Sequence, residues 1–245
     1  MKQKSKREGM NRHHYHHHDD DDSMNDDLKY CEPPAHHRRE KTKAINKRQA
    51  RYISSIESNT ITFGLGPAGV GKSYVAAALA AEALADKRIN RIIVTRPTVE
   101  VGESLGFLPG ELSDKFAPYI APVRDVLQHI LGPGHLGYAL RHNKIVPIPL
   151  SLMRGMSLDD SWILLDEAQN STPVQMKMFL TRIGRNSRAI INGDLEQSDL
   201  PRGAVSGLED AVMRFGDDPE IGVVHFDDDD CVRSGIVRRI LEGYR

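Results

Sequence analysis

Thr60-Ile61-Thr62-Phe63-Gly64-Leu65-Gly66-Pro67-Ala68-Gly69-Val70-Gly71-Lys72-Ser73-Tyr74 is the stretch on which the fold turns. Its first six residues read as a buried strand. Residues 66–73 then match a glycine, four residues and Gly-Lys-Ser, and Tyr74 to Ala85 reads as an alanine-rich helix. Strand, tight loop and helix in that order aim backbone N–H groups at one point, and the helix N-terminus adds partial positive charge there. Such a loop holds a polyphosphate. Gly66, Pro67, Ala68, Gly69, Val70, Gly71, Lys72 and Ser73 are the expected phosphate-binding residues. Lys72 would reach the outer phosphates, and the Ser73 hydroxyl would ligate Mg2+. The alternative, a glycine-rich turn with a chance lysine, does not require the flanking strand and helix.

Outward from this loop, short apolar runs alternate with amphipathic stretches. Strands are predicted at 60–65, 91–95, 161–165, 188–192 and 221–226, and helices at 44–57, 71–86, 115–131, 173–184, 203–215 and 231–242. Nearly continuous apolar strands separated by helices imply a parallel sheet covered on both faces, hence a three-layer α/β domain.

Two further strand ends carry chemistry. Trp162-Ile163-Leu164-Leu165-Asp166-Glu167 ends a buried strand in two acids. Beside a phosphate loop, Asp166 is placed to hold Mg2+ and Glu167 to polarise an attacking water. By itself such an Asp-Glu pair could simply cap a turn. Ala189-Ile190-Ile191-Asn192-Gly193-Asp194 ends another strand, with Gln197 three residues on. Strand ends of an open parallel sheet converge on the ligand crevice, so Asp194 and Gln197 are placed to sense the terminal phosphate or orient water. An Asp-initiated turn with a surface Gln is the plainer reading.

Bulk composition narrows the classes. The chain of 245 residues is 39% hydrophobic and 27% charged, as in an ordinary globular protein. No run approaches the roughly 20 apolar residues needed to span a bilayer, and the Lys-rich N-terminus lacks a secretory apolar core. Two cysteines, Cys31 and Cys231, are too few for a disulfide framework and suit a cytoplasmic setting. A formal net charge of -1 gives no global attraction to nucleic acid, which must then come from local patches. Residues 1–43 are poor in apolar groups and hold a His run at 13–18 and an Asp run at 19–22. A disordered polar tail is expected there, with metal binding by the His run as the alternative.

With these blocks in place, residues 45–242 resemble the PhoH family of ATPases, whose core is similar to one RecA-like lobe of a superfamily 1 helicase. The likeness rests on the phosphate loop, on Thr95-Arg96-Pro97 running into 101–110, and on Met153-Arg154-Gly155. It continues through Asp166-Glu167-Ala168-Gln169-Asn170, Leu180-Thr181-Arg182-Ile183-Gly184, residues 193–203 and Ser206-Gly207-Leu208. Val70 and Ser73 stand where the family commonly has Thr. Asp230-Cys231-Val232-Arg233 keeps the family's Val-Arg but lacks the His-Pro often seen next.

The resemblance implies ATP and Mg2+ as cofactors, ATP hydrolysis, and work on RNA or another single-stranded nucleic acid. It places Gly66, Gly71, Lys72 and Ser73 on the phosphates and metal, and Asp166 and Glu167 in the acidic motif. It puts Asp194 and Gln197 in a helicase-like sensor, and Gln49 where related ATPases read adenine, although a lone Gln on a polar helix is commonly just solvated. A fused nuclease or RNA-binding domain is not expected. One lobe lacks the arginine that a second lobe would bring to the transition state. The expectation is a homo-oligomer, a ring being its closed form. Arg233 is the first candidate for the arginine, ahead of Arg182 and Arg202, each of which also reads as a surface arginine. The Pro- and Gly-rich insertion at 97–155 is expected to make partner contacts through Arg96, Arg124, Arg141, Lys144 and Arg154, with Phe116, Tyr119 and Tyr138 as stacking candidates. Packing aromatics and scattered surface charge would look the same. Other classes weighed are a nucleotide switch or assembly module with little turnover, a small-molecule kinase and a nuclease.

Overall fold

Six short runs of aliphatic and β-branched residues form the sheet: β1 (Ile61–Leu65), β2 (Arg91–Thr95), β3 (Ile145–Pro147), β4 (Ser161–Leu165), β5 (Arg188–Gly193) and β6 (Ile221–His225). The structure, a computed structural model, describes residues 41–97, 120–232 and 235–243. All pairings are parallel, in the order β3-β2-β4-β5-β1-β6. Side chains alternate faces along each strand. Ile92, Val94, Trp162, Leu164 and Ile190 enter one core, packed under α1 (Lys47–Ser58), α2 (Lys72–Ala85), α3 (Ala121–Leu131) and α4 (Pro133–Arg141). Phe63, Leu65, Ile93, Ile163, Leu165, Ala189 and Ile191 enter the other, covered by α5 (Pro173–Leu180) and α6 (Gly207–Phe215). Two cores on one parallel sheet make the three-layer α/β architecture. One strand, β5, lies between the phosphate-loop strand β1 and the acidic strand β4, which is the RecA-like order.

Local chemistry sets the helix starts. Asn46 caps α1 by accepting from the Gln49 N–H at 2.8 Å. Thr172 and Gln175 form a reciprocal capping box ahead of Pro173, and Ser206 caps α6. Helix α2 has no side-chain cap. Its N-cap is Gly71 at φ 91°, so the N-terminal donors of this helix face the loop rather than a side chain.

The structure changes several expectations. Residues 120–155 are not a loop-rich insertion but part of the domain, with Val123, Leu127, Leu131, Leu136, Ala139, Ile145 and Leu150 buried. Pro133 sits in the first turn of α4, where a missing N–H costs nothing, and β3 is an edge strand short enough to end in proline. Helix α1 starts three residues later than expected, at its Asn46 cap. Helix α5 stops at Leu180, α6 starts at Gly207, and α7 runs Gly235–Gly243. Residues 1–40, with the His and Asp runs, lie outside the described residues, as do 98–119 (Phe116 and Tyr119 included) and Arg233. No helix among the described residues is long and apolar enough to cross a membrane.

Candidate functional site

The carboxyl ends of β1, β4 and β5 open into a cleft of about 260 Å³. Ala68, Gly69, Gly71, Lys72 and Ser73 line it from the loop, Asp166 and Glu167 from β4, and Gly193, Asp194 and Gln197 from beyond β5. A larger, open hollow of about 490 Å³ beside α3 and α4, lined by Asp125, Gln128, His129, Gly132 and Pro133, holds none of these groups.

The loop takes its shape from three glycines at positive φ: Gly66 at 134°, Gly69 at 90° and Gly71 at 91°. Gly66 has a second constraint, because a Cβ there would lie 2.3 Å from the Phe226 carbonyl oxygen. Lys72 is buried, and its Nζ donates to the Gly66 and Pro67 carbonyl oxygens at 2.5 and 2.8 Å. Burial holds its ammonium below the usual lysine range, against the opposing pull of Asp194, Asp166 and Glu167.

Ser73 Oγ donates to Asp166 Oδ1 at 2.7 Å. Burial pushes the Asp166 carboxyl up, the Ser73 hydrogen bond resists this, and the neighbouring Glu167 charge adds to the rise. The pair suits Mg2+. It offers a hydroxyl and a carboxylate, both hard oxygen donors, and a desolvated acid whose ionised form a cation would stabilise. Mg2+ bound with a nucleotide takes few protein ligands, about one or two side chains beside the phosphates.

Glu167 has a left-handed backbone, φ 52°. Its Oε2 accepts from Gln169 Nε2 at 2.6 Å, and its Oε1 lies 3.6 Å from an Arg96 guanidinium nitrogen. Gln169 is almost fully buried and works in two directions, since its Oε1 also accepts the Asp194 N–H at 3.1 Å. Its backbone carbonyl receives the Ser206 hydroxyl at 2.9 Å. One amide thus ties the end of β4 to the end of β5. Asp194 Oδ1 accepts from the Glu196 N–H at 3.0 Å, and the Gln197 N–H donates to the Asp194 carbonyl at 3.3 Å.

The structure brings together Ala68, Gly69, Gly71, Lys72 and Ser73 of the loop with Asp166, Glu167, Asp194 and Gln197, whereas Gly66, Pro67 and Val70 are not among the residues that line the cleft. Gln49 lies behind the loop, buried, with its amide between Ile45 N–H and the Val70 carbonyl. Arg96, read from sequence as a tracker of nucleic-acid phosphates, lines the cleft beside Glu167. Arg182 precedes the bridge of Ile183 to Leu158, before the start of β4, and so sits at the opposite end of the sheet from the cleft. Arg202 is exposed in the segment after β5. Arg124, Arg141, Lys144 and Arg154 are exposed, and Tyr138 packs on His142 at 4.2 Å between ring centroids. Sequence reasoning missed Gln169 as a site residue. Its place two positions after Glu167 was visible, but its second partner, Asp194, lies 25 residues on.

Comparison with known proteins matches residues 41–245 to the family described as PhoH-like protein. Protein PhoH of Escherichia coli (strain K12) is 50% identical over 203 residues, covering 82% of this chain and 57% of its own length. The PhoH-like protein of Bacillus subtilis (strain 168) is 47% identical over 196 residues, covering 80% and 61%. The chain therefore spans roughly three fifths of the length of these curated relatives. Among solved structures, the Pif1 helicase from Candida albicans is 13% identical at TM-score 0.39, covering 76% of this chain and 41% of that one. The large terminase from a thermophilic bacteriophage is 10% identical at TM-score 0.43, covering 82% and 50%.

Proposed function

The chain belongs to the PhoH-like protein family, and from that membership we propose that it binds ATP with Mg2+ and hydrolyses it, coupling the reaction to RNA or another single-stranded nucleic acid. The observation that carries this reading is the convergence of Lys72, Ser73, Asp166 and Glu167 on one cleft at the carboxyl edge of the sheet.

Each residue has a distinct task. Loop N–H groups and Lys72 hold the β- and γ-phosphates, Lys72 exchanging its two carbonyl partners for phosphate oxygens. Ser73 and Asp166 would hold Mg2+, which supplies neutralisation of charge on the phosphate oxygens. Glu167 accepts a proton from water as its oxygen attacks the γ-phosphorus, and the bond to the β–γ bridging oxygen breaks to give ADP and phosphate. Asp194 and Gln197 face the terminal phosphate. Beyond Arg96 in the cleft, a neighbouring copy of the chain supplies a further arginine in a homo-oligomer, with Arg233 as first candidate.

The test is ATP turnover with and without RNA and DNA, together with the mass in solution. Stimulation by a polymer, falling steeply with salt, supports the nucleic-acid reading. Turnover unchanged in Arg233→Ala removes that residue, and full activity as a strict monomer removes the oligomer. One observation favours a second reading, a nucleotide-controlled switch with little turnover: Gln169 Nε2 donates to one Glu167 oxygen and an Arg96 nitrogen lies 3.6 Å from the other, holding the carboxylate in place. ATP binding with no measurable phosphate release under any of these conditions would decide for it.

A further inference from the structure

We infer that Gln49 is a positioning residue for the phosphate loop and does not read the nucleotide base; this rests on the polyphosphate reading above and names what the α1 side of that site recognises. Gln49 is 2% exposed. Its Oε1 accepts the Ile45 N–H at 3.0 Å, and its Nε2 donates to the Val70 carbonyl at 2.9 Å. Both ends of the amide are engaged by the protein's own backbone, and the side chain is buried behind the loop, apart from the residues that line the cleft.

The bond to Val70 has a geometric consequence. In a trans peptide the carbonyl and the following N–H point in opposite directions. Drawing the Val70 carbonyl outward to Gln49 therefore turns the Gly71 N–H inward, toward the cleft. The preceding peptide is held in the same way, because the Val232 N–H donates to the Gly69 carbonyl at 3.0 Å and so turns the Val70 N–H inward. Two successive loop carbonyls are thus anchored from behind by elements distant in sequence. Gly71 completes the fit. A Cβ there would stand 2.7 Å from Gln49 Nε2, and φ is 91°, so only glycine lets the amide approach this closely. The Gln49 backbone is itself fixed by the Asn46 side chain at 2.8 Å.

A residue acting in this way affects every polyphosphate alike, whereas a base reader affects only nucleotides with its base. The experiment is calorimetric titration of Mg2+ with ATP, GTP and inorganic tripolyphosphate into wild type, Gln49→Leu and Gln49→Glu, below their measured melting temperatures. Gln49→Glu keeps the size and the acceptor for Ile45 but loses the donor to Val70, so it serves where Gln49→Leu does not fold. The expected result is a rise in Kd of about tenfold for all three ligands in either variant, the scale set by a buried carbonyl left unpaired. A rise for ATP alone overturns the inference in favour of base reading. Unchanged Kd values for all three, with only a lower melting temperature, overturn it in favour of a purely structural role. Wild type that binds ATP but not tripolyphosphate also overturns it. Wild type that binds none of the three removes the proposed function itself, and the inference with it.

Discussion

Ser73 and Asp166 are 93 residues apart in the chain, yet the Ser73 hydroxyl donates to the Asp166 carboxylate at 2.7 Å. The contact joins the first turn of α2 to the end of β4 and defines where a metal–nucleotide complex would sit. The folded protein maintains this carboxylate against its own burial, as expected of a site kept for a ligand rather than for stability.

Asp166→Asn is expected to raise the melting temperature of the ligand-free protein by a few degrees while abolishing Mg2+-dependent ATP binding. Burial raises the carboxyl in the folded state above its unfolded value, so ionisation costs stability as pH rises through that window. The wild-type minus Asn difference should shrink as pH falls toward the unfolded carboxylate range. Thermal melts against pH, with and without Mg2+ and ATP, check both halves. A variant less stable than wild type at neutral pH contradicts the account.

Glu167→Gln should leave ATP affinity within a few-fold and lower phosphate release by about 10²–10⁴. Single-turnover phosphate release beside equilibrium binding separates the two. An equal loss in both would show that Glu167 binds rather than activates.

Gln169→Glu should lower kcat, because a second carboxylate against Glu167 Oε2 replaces a hydrogen-bond donor with a like charge and pushes the base out of place. Gln169→Leu should lower kcat by roughly tenfold or more with KM little changed, because it frees Glu167 without touching the phosphate loop. Unchanged kcat in both variants speaks against the positioning role.

Tyr52→Phe should destabilise by about 1–3 kcal/mol, measured by denaturant unfolding. The fully buried Tyr52 hydroxyl donates to Asn192 Oδ1, burial pushing the phenol up from its ordinary value, and removing it takes that donor from a buried oxygen. Gly64→Ala should cost a similar amount, about 1–3 kcal/mol, since its Cβ would fall 2.7 Å from Asn192 Oδ1 and 2.9 Å from the Tyr52 ring. Full stability in Gly64→Ala would mean that α1 moves freely on the sheet.

Short-range patterns carried much of this protein in the order of its residues. The strand–loop–helix at 60–85 and the apolar runs ending in Asp166 and in Asp194 depend on periodicity and neighbours a few positions away, so they can be read along the chain. Packing decided the rest. Tertiary burial made a strand of Ile145–Pro147 and a helix of Pro133–Arg141, where proline and glycine suggest a loop. Gln49 and Gln169 were each visible as letters, but their tasks depend on Val70, 21 residues away, and Asp194, 25 residues away. An amide has no local preference for such partners. It takes them because folding removes water from both groups and leaves each as the donor or acceptor within reach of the other.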